Sequence, residues 1–282
     1  MIWKTRRGTL DLTRQAQVMG ILNVTPDSFS DGGRHADPTA ALMHARQMIA
    51  EGALLIDIGG ESTRPGGHPV SATDEIARTL PVIAALRDEW DGLISIDTSK
   101  AAVAAAALAA GADIVNDVSG LRADPEMPGI CIAYACAVVL MHRQGDPQTM
   151  QTAPHYQDVV AEVRSFFTER MESLVMAGMH PAALCFDPGI GFGKSLEHNL
   201  SLLRALDQIS PPGLPLLLGV SRKSFLSQLV GSNDLSRRNA PTIAITARAR
   251  AQGVMLHRVH EVLPNIDALR VTEALMEPLP QP

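Results

Sequence analysis

Short apolar runs recur along the chain, and each is followed by a longer stretch whose apolar positions fall at helical spacing. The runs at 18–23, 53–58, 93–97, 113–116, 137–141, 183–187, 214–219 and 254–259 predict strands. Helices are predicted at 38–52, 72–89, 100–110, 157–177, 196–208 and 266–276, with a shorter piece at 125–135 and helical material running to 252. Strands that are apolar throughout are buried on both faces, as in parallel sheets. Eight such β-then-α units in about 250 residues predict an α/β fold, the (β/α)8 TIM barrel. A doubly wound sheet stays open as the alternative, because periodicity alone does not show closure. The segment 2–14 ahead of the first strand predicts a short N-terminal hairpin capping the bottom. No long Pro/Ser-rich linker divides the chain, and 65–71 and 145–154 read as loops, so residues 1–282 are expected to form one barrel domain.

Chemistry gathers where the strands end. The first strand closes on Asn23, and the second runs into Glu61-Ser62-Thr63-Arg64. The third ends in Asp97, the fourth in Asn116 and Asp117, and the fifth in His142 and Arg143. The sixth ends in Asp187, the seventh leads to Ser221-Arg222-Lys223-Ser224, and the eighth carries Arg258 and His260. In a barrel these positions ring the C-terminal mouth, where active sites lie. A single polar residue of this kind is a helix cap; one at every strand end is more than capping requires. The stretch Phe186-Asp187-Pro188-Gly189-Ile190-Gly191-Phe192-Gly193-Lys194 joins an acid to a glycine loop that lets a ligand approach the backbone. A dinucleotide loop fits it less well, since the glycines alternate and no later strand ends in a ribose-binding acid.

Asp97, Asn116 and Asp187 offer acceptors and donors suited to the edge of a flat heterocycle. Arg64, Lys223, Arg258 and His260 supply cationic donors for phosphate or carboxylate. Asn23, with Asp27 or Asp31 nearby, offers oxygens for Mg²⁺, although a turn residue before Pro26 is an equal reading. His142 and His260 fit acid/base roles, with packed or anion-binding histidines as the plainer alternative. His155 and His257 carry no pattern beyond structure or surface. Arg222, by strand alternation, is expected to point away from Lys223.

Composition narrows the partners. A formal net charge of −6 argues against general nucleic-acid binding, and 4% aromatics leave little for base stacking. Cys131, Cys136 and Cys185 are odd in number and unpaired in spacing, which suggests buried, reduced thiols and not a zinc site. No apolar run approaches membrane-spanning length. Arg6-Arg7 precedes a polar stretch and not an apolar signal core, so a cytoplasmic setting is expected.

The motifs resemble the dihydropteroate synthase family of pterin-binding barrels. Met19-Gly20-Ile21-Leu22-Asn23-Val24-Thr25-Pro26-Asp27-Ser28-Phe29-Ser30-Asp31-Gly32-Gly33 is similar to its first signature, and Asp57-Ile58-Gly59-Gly60-Glu61-Ser62-Thr63-Arg64-Pro65-Gly66 to its second. Ser95-Ile96-Asp97-Thr98, Val115-Asn116-Asp117, Met141-His142, the Asp187 to Lys194 loop, Ser221-Arg222-Lys223-Ser224-Phe225 and Arg258-Val259-His260 follow in family order, so nearly the whole chain is covered. The resemblance implies a homodimeric barrel. It implies an alkyl-group transferase that condenses 6-hydroxymethyl-7,8-dihydropterin pyrophosphate with p-aminobenzoate, giving 7,8-dihydropteroate and pyrophosphate in folate biosynthesis. It also implies competition by sulfonamides. It assigns Asp97, Asn116, Asp187 and Lys223 to the pterin. Arg64, Arg258 and His260, with Asn23 and Mg²⁺, fall to the pyrophosphate. Ser224 falls to the p-aminobenzoate carboxylate, with Phe192, Pro65 and Lys223 shaping the pocket and Thr63 beside it. The glycine-rich loops 25–34 and 62–70 are expected to close over the substrates and exclude water. The chain departs from the family pattern at Arg237-Arg238-Asn239-Ala240-Pro241-Thr242-Ile243-Ala244, at Leu256-His257 and at Glu261, beside the anion site. A pterin-binding methyltransferase barrel would not need the Ser221 to Phe225 pocket or the first signature. A non-catalytic pterin-binding paralogue would have lost Asn23, Arg64, Lys223 or His260, and all four are present.

Overall fold

The computed structural model describes residues 1–25, 38–62, 69–145 and 149–276. Two strands, β1 (Ile2–Thr5) and β2 (Gly8–Asp11), form an antiparallel hairpin. The barrel strands are β3 (Gln17–Asn23), β4 (Leu55–Gly59), β5 (Leu93–Asp97), β6 (Ile114–Asp117), β7 (Ala137–Met141), β8 (Leu184–Asp187), β9 (Leu217–Leu218) and β10 (Leu256–Val259). They pair in parallel in the order β8-β7-β6-β5-β4-β3-β10-β9. The ring closes between β8 and β9 through a parallel bridge from Phe186 to Leu216, with Phe186 N donating to Pro215 O at 3.0 Å. Closure excludes the doubly wound sheet. The seventh barrel strand is shorter than the 214–219 its apolar run predicts, because Pro215 has no N–H to give to a ladder.

The helices are α1 (Pro38–Ala50), α2 (Ala72–Glu89), α3 (Ala101–Ala109), α4 (Met127–Ala133), α5 (Val159–Met176), α6 (Leu196–Arg204), α7 (Ser224–Val230), α8 (Asn239–Ala251) and α9 (Val262–Met276). Polar side chains fix several starts. Ser71 accepts from Asp74 N ahead of α2, Asp158 accepts from Val160 N and Ala161 N ahead of α5, and Ser195 and His198 form a capping box on α6. The helical stretch expected to run unbroken to 252 is divided. Gly231, at φ 62°, ends α7, and a 3₁₀ turn at Leu235–Arg238 precedes α8.

Alternation along the strands sorts the barrel interior by height. Met19, Leu55, Ile114, Val139, Cys185, Leu217 and Leu256 form one buried apolar cluster with Trp3 and Leu12 from the N-terminal segment. Trp3 is fully buried, and its Nε1 donates to Ala183 O at 3.0 Å. The segment that reads as polar therefore plugs the barrel bottom, as the expected hairpin cap. Trp3→Phe, which removes that donor and part of the ring, is expected to cost about 1–2 kcal/mol in urea unfolding. No loss of stability would mean that the hairpin does not support the barrel. Two residues further along the same strands the interior turns polar, with Asp57, Asn116, Asp187 and Arg258. That change of character inside one barrel builds the site.

Candidate active site

Arg258, on β10, reaches across the mouth to two acids. Its Nε donates to Asp57 Oδ2 at 2.5 Å and its Nη2 to Asp97 Oδ2 at 2.7 Å. Asn116 Nδ2 donates to the same Asp57 oxygen at 3.0 Å. Asp57 is wholly buried, and it ties strands β4, β6 and β10 together. Burial opposes the Arg258 charge, but Asp57 and Asp97 outweigh it and raise the guanidinium pKa above its ordinary value. For Asp97 burial dominates, Asp57 adds to it and Arg258 opposes it, and the carboxyl is pushed up to about 7. Asp57 Oδ1, Asp97 Oδ1 and Ser95 Oγ are buried without a hydrogen-bond partner among the described residues. Buried polar atoms of this kind are costly unless something pairs with them; Asp97, 7% exposed, lies nearest the mouth, while Asp57 and Ser95 are fully enclosed.

Asp187 ends β8, and its Oδ1 accepts from Gly189 N at 2.7 Å. Burial raises its pKa, against the pull of Lys223, the Gly189 N–H and Arg258. Lys223 Nζ donates to Ile190 O at 2.5 Å and lies 4.7 Å from the centre of the Phe192 ring, a cation–π contact. Burial pulls the Lys223 ammonium down to about 8, while Asp187 holds it up. Gly219 leaves this corner open, since a Cβ there would stand 3.5 Å from Asp187 Oδ2 and 4.0 Å from Lys223 Nζ. Asp97, Asn116, Asp187, Lys223 and Arg258 are thus brought together. His260 sits at the rim with Nδ1 2.9 Å from Ser221 Oγ, and Ser221 Oγ also accepts from His260 N at 3.1 Å. Ser224 opens α7 and lines a hollow of about 230 Å³ with Gln151, Gly191, Lys194 and Gln228.

Asn23 closes β3 beside Gly59, which separates it from Asp97. A Cβ on Gly59 would stand 3.9 Å from Asn23 Oδ1 and 3.8 Å from Asp97 Oδ2, so the missing side chain leaves a gap between two oxygens. No group of three His, Cys, Asp or Glu suited to a metal occurs among the described residues. One amide oxygen at an open mouth suits Mg²⁺, which keeps several waters and binds one or two protein oxygens plus substrate phosphates. Thr63, Arg64 and Pro65 lie outside the described residues, as do Asp27, Asp31 and most of the two loops expected to close.

Some strand-end residues do not join the mouth. Asp117 holds its own loop, accepting from Ser119 N at 2.7 Å and Leu121 N at 3.0 Å. His142 packs edge-on to Phe166 at 5.0 Å, and its Nδ1 faces Lys194 Nζ at 3.0 Å. Burial and the neighbouring lysine push its pKa down to about 2, so His142 stays neutral and carries no acid/base role. Arg222 turns away from Lys223, as expected, but through a left-handed turn and not through strand alternation, since the preceding strand ends at Leu218. Its Nε donates to Asn239 Oδ1 at 2.9 Å, it pairs with Glu261, and its backbone adopts φ 57°. Arg238 Nη1 caps its carbonyl at 2.9 Å and Thr242 Oγ1 accepts from its N–H at 3.3 Å. The segment that departs from the family pattern therefore clamps Arg222 and leaves the named ligands untouched. Asp57 and Lys194 are buried polar residues beside the site to which the sequence motifs alone assign no role. A lone acid inside an apolar run at an inward position was the available signal for Asp57.

The family model described as pterin binding enzyme matches residues 19–260. The dihydropteroate synthase of Synechocystis sp. is 45% identical over 265 residues, covering 94% of this chain and 92% of that protein. The dihydropteroate synthase of Yersinia pestis, solved with a sulfonamide drug, superposes with a TM-score of 0.92 at 44% identity, covering 98% of this chain and 99% of the other. That of Xanthomonas albilineans, solved with 4-aminobenzoic acid, gives 0.89 at 45% identity over 95% of each chain.

Proposed function

Because the chain belongs to the pterin-binding enzymes and within them to the dihydropteroate synthases, we propose that its mouth joins 6-hydroxymethyl-7,8-dihydropterin pyrophosphate to p-aminobenzoate. The products are 7,8-dihydropteroate and pyrophosphate, and the enzyme is an alkyl-group transferase of folate biosynthesis. The observation that carries this reading is the polar layer of Asp57, Asp97, Asn116, Asp187 and Arg258, crossed by hydrogen bonds and left with unpaired acceptors.

Asp97, Asn116, Asp187 and Lys223 hold the amino and carbonyl edge of the pterin. Arg258, set by Asp57, gathers the pyrophosphate with His260 and Arg64. Asn23 would be the residue that holds Mg²⁺, and the ion would supply positive charge for the leaving group. The C–O bond of the pterin methylene breaks, and its electron pair leaves on pyrophosphate. The carboxyl groups of Asp97 and Asp187 face the cationic methylene and stabilise it. The aryl amine lone pair then forms the C–N bond and the amine gives up one proton, so no protein nucleophile is needed. Ser224 at the start of α7 receives the carboxylate of p-aminobenzoate, between Phe192, Lys223 and Pro65, with Thr63 alongside. The whole chain acts as one barrel domain and as a homodimer, for which exposed Val271 and Leu275 on α9 offer an apolar face. A reducing, cytoplasmic setting suits the three buried, unpaired thiols. No helix among the described residues is long and apolar enough to cross a membrane.

The test is turnover of the two substrates with Mg²⁺, read as dihydropteroate by mass spectrometry. Product is expected, lost when Mg²⁺ is chelated. A sulfonamide is expected to raise KM for p-aminobenzoate and leave kcat unchanged. Inhibition insensitive to p-aminobenzoate would contradict the shared pocket. Pterin binding without product would make the chain a non-catalytic paralogue.

A further inference from the structure

The loop from β8 to α6 presents five backbone carbonyls in succession, and each receives a side-chain donor. Lys194 Nζ donates to Gly189 O at 3.0 Å and to Phe192 O at 3.1 Å. Lys223 Nζ donates to Ile190 O at 2.5 Å, Gln151 Nε2 to Gly191 O, and Tyr156 Oη to Gly193 O at 2.9 Å. Lys194 takes two of the five and also crosses to the exit of β7. There it donates to His142 O at 3.3 Å, with His142 Nδ1 at 3.0 Å. One ammonium thus meets four acceptors on two segments.

Two glycines show how closely these segments lie. A Cβ on Gly189 would stand 1.9 Å from His142 O, and one on Gly193 would stand 2.3 Å from Gln144 O. Both have positive φ, 64° and 61°. The loop backbone is laid directly on residues 142–144, and Lys194 bridges the seam. Lys194 is 3% exposed; burial pulls its ammonium down to about 7, and Asp187, beyond ion-pair distance, only partly holds the charge up. A buried cation without a close ion-pair partner is destabilising, and a methionine or leucine would fill the same space without that cost. The geometry of the ammonium accounts for a lysine here.

We propose that Lys194 is a positioning residue for the acceptor side of the site. Its ammonium moors loop 189–193 to the exit of β7, and so sets the Phe192 ring and the Ile190 carbonyl that together seat Lys223. His142 serves as the neutral acceptor of this mooring, with its proton on Nε2. The inference rests on the reading that Phe192 and Lys223 shape the p-aminobenzoate pocket. Of the four pterin ligands only Lys223 leans on this loop, while Asp97, Asn116 and Asp187 sit on strands, so the mooring bears on p-aminobenzoate more than on the pterin.

The experiment uses Lys194→Met, which keeps the stem and removes the donors, and Lys194→Arg, which keeps charge and donors. For Lys194→Met, KM for p-aminobenzoate is expected to rise about tenfold, the scale of one or two lost hydrogen bonds. Pterin affinity is expected to stay within about threefold, a change smaller than one net hydrogen bond. Amide exchange across 188–194 is expected to quicken about tenfold, the same scale of loss, while the barrel strands keep their protection. Lys194→Arg is expected to retain most of the loop protection, and it decides the matter if the methionine variant does not fold. A purely structural lysine would lower stability and the active fraction with both substrate affinities unchanged, and that result overturns the proposal. Equal loss toward both substrates, or unaltered loop exchange, overturns it too. Exchange needs no substrate, so a wild type without turnover would sink the functional reading while the mooring is still decided.

Discussion

Asp187→Asn is expected to lower kcat/KM about a thousandfold while the protein stays folded, the scale of removing one group that stabilises transition-state charge. An asparagine oxygen can still accept from Gly189 N, where Asp187 Oδ1 now sits at 2.7 Å, so the loop keeps its anchor. What disappears is a negative charge between Lys223 and Arg258, two cations that already favour the ionised form. In the proposed reaction that charge faces the methylene as the C–O bond breaks, and an amide offers it only a dipole. Without the acid, Lys223 and Arg258 repel a developing cation with no counterweight. The loss should therefore fall on kcat as well as on KM, because the interaction strengthens as charge develops. Steady-state rates with a melting curve of the same preparation check this. A folded variant retaining more than about a tenth of wild-type kcat/KM, a loss of only 1.4 kcal/mol, would remove Asp187 from the chemistry.

The barrel was legible because its strands are buried on both faces, and the apolar runs therefore stand out from the helical stretches between them. The strand-end residues were legible for a related reason. An apolar run that stops on Asp97 or Asp187 marks the height at which the interior turns polar. Less legible was direction. Asn116 and Asp117 are adjacent, and only alternation separates the one that reaches Asp57 from the one that ties its own loop. Read with that alternation, Asp57 stands out as an acid one step below Gly59, facing inward. Lys194 could not be found in this way. Its partners are backbone carbonyls, which every sequence contains, and a histidine 52 residues away that the fold alone brings to it. Closure of the ring was equally hidden, since it rests on one bridge at Phe186 and Leu216 beside a proline.

Asp97→Asn is expected to change the pH dependence of stability in a direction that separates burial from ion pairing. Asp97 is pushed up to about 7, first by burial and then by Asp57, although Arg258 Nη2 donates to it at 2.7 Å. In the unfolded chain an aspartate titrates near about 3.9. Between those values the folded protein holds a proton that the unfolded chain has released, so wild-type stability falls as pH rises through this window. Below about pH 4 and above about pH 7 both states carry the same charge here and the slope vanishes. Asparagine has no proton to lose. Relative to wild type, the variant should therefore gain stability from pH 4 to pH 7, by up to about 4 kcal/mol for three pKa units. Urea unfolding of both proteins at several pH values across that window reads the difference directly. A difference that shrinks as pH rises would mean that Arg258 outweighs burial and that Asp97 is already ionised. The free mouth would then hold a fixed salt bridge that pyrophosphate must break. The expected sign describes something else: an acid kept near neutrality, able to meet the pterin edge in either protonation state once the pyrophosphate draws on Arg258.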